Sequence, residues 1–155
     1  LGALALLLVA GIIEFGKGFN YWLNLNHLAN EGARWVAVDK IPPANQDPNI
    51  AAVRSYLLDH VTTQELQASV NADPVNNIRV CVRPAPGDPP QVGDEVNVTV
   101  QTNYALPLVA SVANFADSLF GDGQASFGDI NLVGSASVRL EQPLSHPMPD
   151  YATCS

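Results

Sequence analysis

The feature that most limits how this chain can fold is its start. Residues 1–13, LGALALLLVAGII, carry no charge, and Glu14 then interrupts the apolar run without a proline or any other break in the helical pattern. Leu23, His27, Asn30, Arg34 and Val38 recur at steps of three and four, with Leu25, Leu28, Ala29, Val36 and Ala37 supplying apolar surface, so residues 1–38 read as one helix. At 1.5 Å per residue it would be roughly 57 Å long, about twice the span of a small domain, so something besides its own domain must cover the first third. Its glycines cost up to about 1 kcal/mol each in propensity, and local melting around Gly16, Lys17 and Gly18 is an open alternative. A signal-peptide h-region has a similar length, but a small-residue cleavage site and a break would follow it; here the helix pattern carries on. Pro42 and Pro43 stop the helix. The chain thus divides into a long N-terminal helix, residues 1–40, and a globular head, residues 41–155.

The head reads as α+β. Ile50, Val53, Leu57, Leu58 and Val61 fall at helical spacing and predict a helix over 48–60, with Thr63 to Leu66 capping a last short turn. The period then changes to two. Ile78, Val80 and Val82 alternate with Arg79, Cys81 and Arg83, and beyond a Pro- and Gly-rich loop at 84–94, Val96, Val98 and Val100 alternate with Asn97, Thr99 and Gln101. Two antiparallel strands with one wet face follow from that pattern. Pro107 opens a helical segment to about Phe120, and residues 130–141 alternate as a last strand.

Several function classes find no support. A net charge of −8, with only seven scattered Lys and Arg, argues against nucleic acid as a partner. His27 and Glu31 at i, i+4 make at most half a metal site, and no CxxC or other metal-spaced cluster accompanies them, so no metal and no cofactor are expected. The serines lack a G-x-S-x-G elbow and no acid pair suggests general acid and base, so an enzyme is not expected. Asn97-Val98-Thr99 is a glycosylation sequon inside a predicted strand. The two cysteines, Cys81 and Cys154, are expected to form a disulfide tying down the chain end; two free thiols in a reducing compartment is the competing reading. Tyr21 and Trp22 suit a membrane–water boundary, whereas Trp35 fits the core.

GIIEFG at 11–16, ANEGARWVAV at 29–38 and SVRLE at 137–141 together resemble the TadE/TadG-like proteins of tight-adherence pili, a family related to type IV pilins. The likeness is specific over the first forty residues and one of pattern over 42–136. It implies a pilin-like architecture: a helix that anchors in the cytoplasmic membrane of a prokaryote before assembly and forms the core of an extracellular filament afterwards. The implied partners are copies of the chain itself, and other pilin-like subunits. Subunit packing would then fall to Leu4, Leu7, Leu8, Ile12, Glu14, Phe15, Lys17 and Phe19, and helix-to-head packing to Glu31, Gly32, Arg34 and Trp35. Glu14 either marks the water boundary beside Lys17 or meets Lys17 or Arg34 of a neighbour, and Glu31 with Arg34 at i, i+3 reads as a salt bridge. Unlike a pilin, the chain has its first acid only at Glu14, and Gly11 followed by Glu14 does not give the pilin processing spacing. A minor subunit that primes or caps a pilus, and a membrane-anchored binding module, are the alternatives.

Overall fold

In the computed structural model, residues 2–38, 50–83, 90–111, 114, 129–144 and 152–153 are described. Helix α1, Gly2–Ala37, is followed by α2, Ile50–Asp59, α3, Gln64–Asn71, and the single turn α4, Pro74–Asn77. Strands β1, Ile78–Arg83, β2, Glu95–Tyr104, and β3, Ile130–Arg139, form an antiparallel sheet with β2 in the centre, and the two-residue strand β4, Ala152–Thr153, joins β1 in parallel at the edge. The layout is α+β and pilin-like: one long apolar helix, a small sheet and short helices.

The sheet has one dry face. Ile78, Val80 and Val82 of β1 and Val96, Val98 and Val100 of β2 are buried, while Arg79, Arg83 and Gln101 look the other way or stay in reach of water. On β3 the same face carries Gly134 opposite Val100 and Ala136 opposite Val98. These small residues let α1 lie directly on the sheet. A Cβ added at Gly134 would stand 2.4 Å from the Leu25 carbonyl carbon, so glycine is required there for steric reasons.

Helix α1 presents one continuous stripe to the head. Tyr21, Leu25, Leu28, Ala29, Ala33 and Val36 are buried at helical spacing, and Gly18, Glu14 and Ala10 extend the same stripe toward the N-terminus. Gly32 lies on that stripe: a Cβ would meet Leu57 Cδ1 at 2.9 Å and Val98 Cγ1 at 3.3 Å, which places α2 and the sheet both against the helix. The C-terminal end of α1 is held by the chain leaving β3, because Glu141 donates its N–H to the Ala37 carbonyl at 2.8 Å. Two of the family-like segments, 29–38 and 137–141, thereby meet.

Several expectations change. The helix is unbroken through Gly16–Gly18, so packing on the head outweighs glycine propensity there. Thr63 does not cap a last turn of α2 but starts α3, accepting the Leu66 N–H at 3.3 Å. Between α3 and β1, Asp73 caps the single turn α4, with Pro74 at the first helical position. Strand β2 runs on to Tyr104, and β3 ends at Arg139. The segment after Pro107 is helical at 107–111 and 114, and the rest of the expected helix lies outside the described residues.

Candidate functional site

Glu14 sits where the two halves of the molecule join. It is not at an open edge: it is 1 % exposed, and its carboxylate accepts the backbone N–H of Leu108 and, at 3.0 Å, that of Val109. These are the first free amides of the helical segment that starts at Pro107. A helix normally takes a Ser, Thr, Asp or Asn just before it to bind such amides, but Ala105 and Leu106 cannot. Glu14 supplies that cap from a distant part of the chain, and its negative charge also faces the favourable end of the peptide dipoles. Lys17 is exposed, and among the described residues the partners of Glu14 are these amides rather than a cation.

Tyr104 completes the junction. It lies under Gly18, makes an edge-on contact with Tyr21 at 5.3 Å between ring centroids, and its buried hydroxyl has no hydrogen-bond partner among the described residues. Burial, helped by the negative charge of Glu14, raises its pKa above the ordinary tyrosine value. Tyr21, expected at a membrane boundary, is instead a core residue whose hydroxyl donates to Glu65 at 2.7 Å. Trp22 remains exposed.

Over residues 4–23 the rest of α1 is uncovered and mostly apolar, with Lys17 and Asn20 exposed among the apolar side chains. Leu4 is 72 %, Ile12 64 % and Phe15 76 % exposed, and Leu6, Leu7, Leu8, Val9, Ile13, Phe19 and Leu23 are also exposed. Phe15 stacks on Phe19, and Phe19 lies against Trp22, in a ladder along the helix. Beside it runs an apolar groove of about 330 Å³ between α1 and the head, walled by Phe15, Phe19 and Trp22 on one side and Leu106, Val109 and Leu132 on the other. Helix α1 is long and apolar enough to cross a membrane over Leu4–Ala37, although its C-terminal half is the part that packs on the sheet.

At the far end of α1, Glu31 accepts the Tyr56 hydroxyl at 2.7 Å rather than pairing with Arg34, which is exposed. That bond, followed by burial, raises the Tyr56 pKa. Trp35 is half-buried, edge-on to Tyr56 at 5.5 Å. His27 is exposed, and no group of three or more potential metal ligands occurs among the described residues. In the sequon, Thr99 Oγ1 donates to Asn97 Oδ1 at 3.0 Å within β2. Cys81 lies on β1 beside β4; Cys154 lies outside the described residues.

The sequence brought out Glu14 but not its partner. The signal was there in weak form: a proline-initiated helix with no local cap. No family model, no curated protein and no solved structure matches the chain in comparisons with known proteins.

Proposed function

We propose that the chain is a TadE/TadG-like, pilin-type structural subunit without enzymatic activity, which polymerises through α1 into an extracellular filament after passing through the cytoplasmic membrane of a prokaryote. The observation that carries this reading is the division of α1 into one stripe covered by its own head and the remaining faces left bare and mostly apolar from Leu4 to Leu23, Lys17 and Asn20 excepted. Fully burying a Leu, Ile or Phe side chain contributes about 1.5–3 kcal/mol. Half a dozen such side chains offset an association cost of roughly 4–15 kcal/mol. Leu4, Leu7, Leu8, Ile12, Phe15 and Phe19 supply them; Glu14 sets where the head begins, and Lys17 remains exposed beside the packing face. A bridge from Cys81 to Cys154 belongs to the same proposal, supported by the absence of free cysteines among the described residues and by β4 lying alongside Cys81.

The test is mass spectrometry of fibres sheared from producing cells, comparing wild type with Ile12→Glu. The chain should be a repeating component of the wild-type fibres, and the variant should keep a folded head yet be absent from them. Normal fibre incorporation of the variant would contradict the proposal. A membrane-anchored binding module is the second reading, favoured by a helix long enough to span a bilayer. It predicts that the chain stays in the membrane fraction as a monomer.

A further inference from the structure

On the side away from the head, the bare and mostly apolar face of α1 runs from Leu4 to Leu23, and Asn24, Asn26 and His27 follow. At 1.5 Å per residue that face is about 30 Å long, the thickness of the hydrocarbon core of a bilayer. Trp22 stands near its upper end, where an exposed tryptophan suits the water boundary. Phe15, Phe19 and Trp22 belong to this face and also form one wall of the groove, against Leu106, Val109 and Leu132. The groove is therefore continuous with the surface that lipid bathes when α1 spans a membrane. From Gly11 to Trp22 its wall covers about 16 Å of helix, close to one leaflet in height, and its volume of about 330 Å³ leaves a cross-section of roughly 20 Å². That is the width of one extended hydrocarbon chain. A second helix about 10 Å across and equally long would need roughly 1,300 Å³.

We infer that before assembly this groove holds one acyl chain of a membrane phospholipid, wedged between α1 and the head. The inference rests on the membrane stage of the reading above and adds to it a specific lipid site. Water is a poor occupant, because a buried water needs two to four polar partners. The Glu14 carboxylate on the lining is already bound to the Leu108 and Val109 amides, and apart from Tyr104 the other lining side chains carry no hydrogen-bonding group except the Trp22 ring N–H. Lys17 and Asn20 do not line the groove, and Lys17 is within snorkelling reach of the headgroups. Gly11 gives the chain its way in: a Cβ there would meet nothing within 4 Å, so the end of the groove farthest from Trp22 is open toward the bilayer interior.

The experiment uses the full-length protein extracted in detergent from the membranes of producing cells, delipidated, and carrying Trp35→Phe so that Trp22 is the one tryptophan left to emit. The probe is a phosphatidylcholine with brominated acyl chains, which quench a tryptophan they touch. Quenching of Trp22 should saturate at one lipid per chain, and native mass spectrometry should show a monomer with one phospholipid. Gly11→Phe places a ring in the groove and should weaken that binding at least tenfold. Ile13→Phe places the same ring on the bare face outside the groove lining, and should bind as the parent does. Quenching that rises without saturating, or that is equal in Gly11→Phe and its parent, overturns the lipid site. So does a dimer without lipid, which would give the groove to a second copy. Each of these results leaves the filament reading standing, because that is read from sheared fibres. Absence of the protein from the membrane fraction overturns the membrane stage together with the lipid site.

Discussion

Replacing Glu14 by Ala should loosen the head from α1 by a measurable amount. The substitution leaves the Leu108 and Val109 amides without their acceptor in a part-buried place. An unsatisfied buried donor costs about 1–3 kcal/mol, so the two together should lower stability by about 3 kcal/mol, with water entering the space offsetting part of the larger sum. For a chain of this size that is a fall in Tm of about 10 °C. Glu14→Gln keeps the shape and one acceptor oxygen but turns a donor toward the second amide, and should lose about 2 kcal/mol. Thermal unfolding followed by circular dichroism in detergent gives the ranking, and amide hydrogen exchange locates it: Leu108 and Val109 should lose protection while Val98 and Val100 in the sheet keep theirs. If Glu14→Ala unfolds within about 1 °C of wild type and the two amides exchange as before, the capping role is wrong.

Other perturbations have equally definite outcomes. Gly134→Val drives a side chain into the backbone at Leu25 and should destabilise the head by about 3 kcal/mol in denaturant unfolding; a change under about 0.5 kcal/mol would mean that α1 does not rest on β3 there. Tyr104→Phe removes a buried hydroxyl that has no partner among the described residues, and should leave the isolated protein as stable or more so by about 1 kcal/mol. The raised pKa of Tyr104 means that its contribution is fully present below the ordinary tyrosine pKa and is lost as pH rises through the higher folded value; the phenylalanine variant should therefore lose less stability in alkali, and identical alkaline profiles would contradict this. Asp73 has the opposite sign. Its pKa is lowered by hydrogen bonds from the Asn76 side chain and backbone, so its contribution is present above the ordinary carboxylate range and disappears as pH falls through the lower folded value; Asp73→Ala should flatten that part of the acid profile of α4.

How much of this could be read from the residues varied with the range of the cause. The long helix, the two valine-rich strands and the last strand were legible because periodicity is local and one face of each element is buried. Helix α3 was missed because its eight residues, with only Leu66 and Val70 buried, carry too little pattern to separate from the end of α2. Gly134 looked like an ordinary strand residue; only the approach of α1 explains it. Tyr21 has the amphipathic character of a boundary residue, but Glu65 and Tyr104 arrive from distant parts of the chain and draw it into the core. Glu14 stood out as a carboxylate among apolar residues, yet its partners lie more than ninety positions away, in a helix whose missing cap was the one local hint. The apolar surface around it was plain from the start; which part the head covers was not.

The most direct test is a cryo-electron microscopy reconstruction of fibres sheared from cells that make this protein. Density for the chain should repeat along the fibre, with α1 helices bundled in the core, residues 4–23 in contact with neighbouring copies and the sheet facing outward. Fibres whose core holds no α1 from this chain, alongside the protein recovered only from the membrane as a monomer, would contradict the account.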